Sequence, residues 1–336
     1  MKFEKYPNNP IIKPFKGHSF EDLVVCNPAA WLEGDTFYMI YRSAGDDKEH
    51  YIYLNLATSK DGFNFTRYEN NPILKPTPDN YDSGCCEDPR LVKIGKVYYL
   101  TYAYRPFPPG RYWEDEHYIK PSVDLDEECP NGLKWNLSNT ALAISNDLIH
   151  FKKLGRITDY NSDNRDVILF PRKINGQFVR LERPVEMVGE AYGTSVPSIW
   201  INYSDNLMEW GKPKLLMKPE VEWEMAKMGG STPPLETKDG WLVLYHGVSP
   251  IDSGYRVGAA LLDLNNPEKV IARTKDFLME PEYPYETDGF YNGCVFPTGN
   301  VIKDDTLYVY YGGADRFVNV ATCQLSKLLK HLKGEK

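Results

Sequence analysis

Apolar residues fall along this chain in short runs, dense in tyrosine and phenylalanine and cut apart by Gly, Pro, Asn and Asp. Runs of this kind predict β-strands, and only the tail from Leu325 to Leu332 has the spacing of a short helix. The strands come in a repeating order. Five times a residue–proline pair opens a strand, at Asn27-Pro28, Asp88-Pro89, Phe170-Pro171, Thr232-Pro233 and Phe296-Pro297. Seven to ten residues after each proline an aromatic-rich strand begins: Phe37 to Arg42, Val97 to Tyr102, Phe178 to Arg183, Trp241 to His246 and Leu307 to Gly312. Between the paired strands sit Gly34-Asp35, Gly95-Lys96, Asn175-Gly176, Asp239-Gly240 and Asp304-Asp305, which read as hairpin turns.

A third strand follows in each copy. Three of these end in a shared surface turn that begins at Ser59, Ser145 and Ser204. The five prolines are spaced by 61, 82, 62 and 64 residues. Small antiparallel units repeated at that period and closing around an axis predict an all-β fold, a five-bladed β-propeller with a short C-terminal helix. Residues 1–336 then form a single domain. The long gap carries an insertion of roughly 20 residues in blade two, within about 105–138, with the composition of a loop that covers one face of the disc.

Composition narrows the function. The count of 39 basic against 47 acidic residues gives a net charge of −8 with no basic block, which argues against nucleic acid or an anionic membrane as partner. No run approaches the ~18 apolar residues of a membrane span, and the first residues lack a signal-peptide pattern, so a cytoplasmic location is expected. The six cysteines form no C-x-x-C pair and read as reduced thiols. Scattered histidines without H-E-x-x-H or H-x-H indicate no metal site, and the serine-hydrolase, P-loop and dinucleotide motifs are missing.

The repeat itself points to a site. The residues before the prolines and those ending the aromatic strands fall at one end of antiparallel hairpins. Asn27, Arg42, Asp88, Arg183 and His246 should therefore converge near one mouth. Singly, an Asp before Pro is a common turn former, and a strand-end Arg or His is commonly solvated. Several polar residues at equivalent positions, in strands otherwise built from aromatics, call for a function. Glycoside hydrolysis normally uses two carboxyl groups, whereas here one carboxyl, Asp88, stands among cations. Arg, Lys and His are what an oxyanion such as phosphate requires, and phosphate can itself attack a sugar carbon.

Several linked motifs sharpen this reading: Glu87-Asp88-Pro89-Arg90, Asn164-Arg165, Leu169 to Gly176, Arg183-Pro184, Lys227, Gly240 to Val248, Gly258 to Asp263 and Tyr310 to Asp315. Across nearly the whole chain the sequence resembles the mannoside phosphorylases of glycoside hydrolase family 130. The resemblance implies that Asp88 is the general acid and that Arg165, Arg183, Lys227 and His246 bind phosphate. It further implies that Asn27, Arg42 and Asp315 bind the mannose beside the scissile bond. The reaction implied is inverting phosphorolysis of a β-mannoside to α-mannose 1-phosphate, with inorganic phosphate as co-substrate and no cofactor. Arg105, Arg111, Tyr112 and Trp113 of the insertion are expected to choose the acceptor sugar; the other use of such a loop is subunit contact in a homo-oligomer.

The sequence departs from the family pattern at Cys85-Cys86-Glu87, at Glu182 before Arg183, at Gly293 and in the segment Val185 to Val196. The family also holds β-1,2-mannosidases that use glutamates to activate water. Glu182, Glu186, Glu190 and Glu224 keep that hydrolytic alternative open. A non-catalytic sugar-binding propeller is a third reading, against which the retained Asp88 argues.

Overall fold

A computed structural model describes residues 1–114 and 125–335; residues 115–124 of the expected insertion lie outside the described residues. The chain is all-β apart from a C-terminal helix, Leu325–Lys333, and a few single turns of helix. Five successive groups of strands appear. The first comprises Val24–Glu33, Thr36–Ala44, Ile52–Ser59 and Thr66–Arg67, and the second Cys85–Ile94, Val97–Arg105, Asn139–Ser145 and Lys152–Arg156. The third is Asn164–Leu169, Phe178–Pro184, Ile199–Ser204 and Lys214–Met217. Lys227–Gly230, Leu235–Thr237, Gly240–Val248, Tyr255–Leu262 and Val270–Arg273 make the fourth. In the fifth, Val295–Lys303, Thr306–Gly313 and Phe317–Gln324 are joined by the N-terminal strand Glu4–Lys5, which pairs with Phe317–Gln324. That closing strand had no signal in the repeat.

Pairing within each group is antiparallel, and a single parallel bridge, Ile52 to Cys85, joins the first two groups into one eight-stranded sheet. Four of the five expected hairpin turns form, and Asn175 and Gly176, for instance, adopt φ 51° and 84°, the left-handed pair that a two-residue hairpin turn needs; in the fourth group the turn is Lys238-Asp239, because Gly240 already pairs with Thr237. The three serine turns also share one geometry. Ser59, Ser145 and Ser204 Oγ each accept the backbone N–H three residues on, at 3.0, 3.0 and 2.9 Å.

Apolar clusters fill the space between consecutive groups. Leu54 and Leu56 meet Leu91 and Leu100; Val92 and Leu142 meet Val167 and Leu169; Leu181 and Ile199 meet Trp241 and Val243. Leu244 and Val257 meet Leu307 and Val309, and Tyr310 and Val320 return to Met39 and Tyr41 of the first group. Each such buried side chain contributes about 1.5–3 kcal/mol. The helix Leu325–Lys333 adds Leu328, Leu329 and Leu332 to the cluster between the fourth and fifth groups. The leading strands also touch in order: Val24–Glu33, Cys85–Ile94, Asn164–Leu169 and Lys227–Gly230. Val295–Lys303 touches both the fourth group and Val24–Glu33, so the series returns to its start. Among the described residues no helix is long and apolar enough to cross a membrane.

Candidate active site

The leading strands are not regular. In the first three groups the register slips by one residue, between Cys26 and Ala29, Glu87 and Arg90, and Arg165 and Ile168. At each slip one residue adopts a left-handed backbone: Asn27 (φ 46°), Asp88 (φ 51°) and Asp166 (φ 53°). Asn and Asp tolerate that conformation best among residues with a side chain, and a bulge re-aims the side chain it carries. The first two are the residues expected before Pro28 and Pro89. The third departs from expectation. Phe170 follows the end of its strand and packs on Trp241 at 5.2 Å, so the equivalent of Asn27 and Asp88 is Asp166. Thr232 is buried and receives a hydrogen bond from Asn300 Nδ2 at 2.5 Å, while Phe296 remains on the wall of the site.

These bulges face one cavity of about 420 Å³. On one side Asp88 Oδ1 accepts hydrogen bonds from Asn27 Nδ2 at 2.8 Å and Arg42 Nη1 at 3.2 Å. Arg42 Nη1 also pairs with Glu87 Oε2 at 3.1 Å. Burial disfavours the Arg42 charge, yet Glu87, Cys26 and Asp88 hold its guanidinium well above the usual range. Asp315, in the left-handed turn after Gly313, lines the same cavity, and burial pushes its carboxyl up. Asn27, Arg42, Asp88 and Asp315 thus come together as expected.

Cations line the other side. Arg165 and Arg183 face each other across the third hairpin, and His246 pairs in register with Gly229, two residues from Lys227. Arg165 is held by Asp163 through Nε at 2.7 Å and Nη2 at 2.8 Å. Arg183 Nε donates to Asp166 Oδ2 at 2.6 Å, and His246 Nε2 lies 3.8 Å from that oxygen. Lys227 stands 4.9 Å from the centre of the Tyr255 ring. Burial, then the charges of Arg183 and Arg165, bring its pKa down to about 8. Burial likewise brings His246 down to about 3, so its imidazole is neutral at physiological pH. Gly229 makes the crowding possible, since a Cβ there would lie 2.4 Å from Asp166 Oδ2 and 2.6 Å from His246 Cε1.

The insertion residues divide. Arg105 and Tyr112 line the cavity, with Arg105 Nε 3.8 Å from Glu87 Oε1 and Nη1 donating to Asn136 O at 2.6 Å. Arg111 and Trp113 are not on its wall. Arg111 ties the loop to Asp46 at 2.8 Å, and Trp113 packs behind Tyr112, between His50 and Phe290, at 4.7 and 4.9 Å. The four glutamates of the hydrolytic alternative are also elsewhere. Glu182 is buried on Arg180 at 2.6 Å and accepts from Asn164 and Asn202; Glu224 pairs with Arg273 at 2.6 Å. Glu186 lines a separate depression with Trp210, and Glu190 starts the exposed turn Glu190–Tyr192.

Glu87, Asp166 and Tyr255 are among the wall residues to which the sequence assigned no role. Asp166 directly follows Arg165, and its signal was an Asx residue at a bulge, hidden because the third proline comes five residues later. Asp88, a carboxyl group on the side of the cavity opposite the cation cluster, gives the site the equipment for transferring a glycosyl group to an anion.

Comparison with known proteins agrees. A family profile described as beta-1,4-mannooligosaccharide phosphorylase matches residues 2–112 and 132–334. The chain is 36% identical over 335 residues to a 1,2-beta-oligomannan phosphorylase of Thermoanaerobacter sp. (strain X514), covering 98% of this chain and 99% of that one. It is 33% identical over 340 residues to a beta-1,2-mannobiose phosphorylase of the same organism, covering 98% and 99%. The solved beta-1,2-mannobiose phosphorylase from Listeria innocua, in complex with beta-1,2-mannobiose, superposes with a TM-score of 0.80 at 27% identity over 100% of both chains. These are enzymes that transfer mannosyl groups to phosphate. The chain belongs to glycoside hydrolase family 130, whose phosphorylases use phosphate as co-substrate.

Proposed function

We propose that the protein cleaves β-mannosides by a single inverting displacement in which phosphate is the nucleophile. The observation that carries this reading is the convergence of Asp88 and of Arg165, Arg183, Lys227 and His246 on one cavity. Asn27, Arg42 and Asp315 hold the mannose. Asp88 gives its proton to the leaving oxygen, directly or through a sugar hydroxyl, as the C1–O bond breaks. A phosphate oxygen forms the new bond to C1 from the opposite face and inverts the centre, which yields α-mannose 1-phosphate and a shortened acceptor. Phosphate replaces both water and the base that hydrolysis needs. Glu87, the neighbouring carboxylate, is tied to Arg42 and is next to Asp88 on the same strand, so it is not available as a base on the far face. Arg105 and Tyr112 shape the acceptor side.

The names of the two Thermoanaerobacter relatives, both above 30% identity, favour a β-1,2 linkage over the β-1,4 linkage in the family description. The five strand groups, the clusters between them and the return of the series to the first strand support a single five-bladed propeller over residues 1–336. Six free thiols, five of them buried, suit a reducing cytoplasm, where a charged sugar phosphate is retained. The test is product analysis with β-1,2- and β-1,4-mannobiose, with and without phosphate. Phosphate-dependent, saturable release of α-mannose 1-phosphate from the β-1,2 substrate is expected. Free mannose released at full rate in phosphate-free buffer would overturn the reading and favour hydrolysis.

A further inference from the structure

We propose that Asp166 selects hydrogen phosphate over sulfate and other proton-free dianions, by accepting a hydrogen bond from the one proton that hydrogen phosphate carries. The inference rests on the phosphorolytic reading above and adds a specificity-determining residue to it.

It starts from an anomaly of charge. A cavity that must hold an anion carries a buried carboxylate in its cationic wall. Like charges at close range repel strongly where water is scarce, so this carboxylate weakens anion binding unless the anion offers it something. Orienting Arg183 explains only part of its presence. Oδ2 is taken by Arg183 Nε at 2.6 Å, with His246 Nε2 at 3.8 Å, but Oδ1 has a single long contact, 3.4 Å to Arg90 Nη2. An ionised carboxylate offers about four lone-pair sites, so acceptor capacity remains on the cavity wall.

The placement is built into the backbone. The left-handed bulge at Asp166 repeats those at Asn27 and Asp88, and all three residues line one cavity. Gly229 leaves room for the carboxylate between Arg183 and His246, where any Cβ would collide with it. Burial alone would push the Asp166 carboxyl up, but Arg183, His246 and Arg90 hold it well below the usual carboxylate range. It is therefore an acceptor with no proton of its own to give. Ser231 Oγ lies 3.3 Å from His246 Nδ1, and with Ser231 donating there the neutral ring keeps its proton on Nε2, facing the same space. The wall thus presents several donors and one acceptor. Hydrogen phosphate, with three acceptor oxygens and one hydroxyl, matches that set. Sulfate, with four acceptors and no proton, does not.

The experiment compares anions on the wild-type enzyme during mannoside phosphorolysis. Arsenate, which also keeps a proton at neutral pH, should compete with phosphate at similar concentrations. Sulfate and monofluorophosphate have the same charge but no proton, and should compete about 10- to 100-fold more weakly. In Asp166→Asn, whose amide can donate to an oxyanion, that gap should close to within about threefold, a change that loss of packing alone does not produce. Sulfate or monofluorophosphate competing as well as arsenate in the wild type would overturn the proposal whether or not the variant folds. So would a folded Asp166→Asn that kept the full discrimination. Failure of the underlying reading looks different: turnover would not depend on phosphate at all, before any competitor is added.

Discussion

Lys227 is the site residue whose charge can be removed by pH alone. Burial opposes its ammonium, and the neighbouring charges of Arg183 and Arg165 add to that, so its pKa falls from 10.5 to about 8 despite the help of Asp166. That difference corresponds to roughly 3 kcal/mol of unfavourable interaction carried by the charged form. In the proposed complex phosphate reverses the balance, because an anion beside Lys227, Arg165 and Arg183 compensates their charges. Two consequences follow. In the ligand-free protein the unfolded chain binds the extra proton between about 8 and 10.5, so the contribution of Lys227 to stability rises with pH across that window. Phosphate capture moves the other way. Where the charged lysine is required, kcat/KM for phosphate should fall about tenfold per pH unit above 8, since this ratio reports ionisation of the enzyme before phosphate binds. The anion raises the lysine pKa in the complex, so kcat at saturating phosphate should not share that midpoint. The assay is the initial rate of mannose 1-phosphate formation at saturating mannoside, with phosphate varied between pH 7.5 and pH 9.5, where phosphate itself is mainly the dianion. Lys227→Arg, whose guanidinium stays charged, should lose the limb centred near 8. A variant that retained the same limb, or a wild-type ratio flat to the top of the range, would refute the assignment of Lys227 to the phosphate.

Asp88→Asn should lower turnover of an unactivated mannoside by about 10²–10⁴-fold with sugar binding preserved, and a substrate with a good leaving group should suffer less; near-normal rates would remove Asp88 from the mechanism. Gly229→Ala places a methyl group 2.4 Å from Asp166 Oδ2 and 2.9 Å from Arg183 Nε. It should raise KM for phosphate far more than KM for mannoside, and equal effects on both would argue against a shared anion site. Tyr112→Ala should reorder acceptor preference in the synthetic direction, whereas Arg111→Ala, outside the cavity, should leave the ranking intact. Acceptor profiles across mannose, glucose and manno-oligosaccharides decide between the two.

Local sequence carried much of the architecture. Strand periodicity, hairpin turns such as Asn175-Gly176 and the amphipathic tail of Leu325–Lys333 depend on neighbours within a few residues, and apart from the turn of the fourth group all appear as expected. Four of the polar residues that the repeat marked, Asn27, Arg42, Asp88 and His246, reached the cavity because their positions in a hairpin are set by the alternation of a strand and one turn. Arg183 followed the same logic. In the third group the proline does not mark the bulge, which falls at Asp166 and not at Phe170, since a bulge is a property of two paired strands and neither strand displays it alone.

Other features belonged to the assembled molecule only. Glu4–Lys5 finds its partner some three hundred residues away, and a strand of two residues carries no period to read. Glu182 looked free to activate water until Arg180, Asn164 and Asn202 were seen to enclose it. Trp113 and Tyr112 are adjacent, yet one backs the wall and the other lines it, a division set by what His50 and Phe290 leave uncovered. The pKa of Lys227 and the charge of Asp166 likewise follow from groups on three different strand pairs. Sequence determined which elements form and which residues each could present. Tertiary structure decided which of those residues meet, because desolvation and charge act through space across groups of strands that are far apart in the chain.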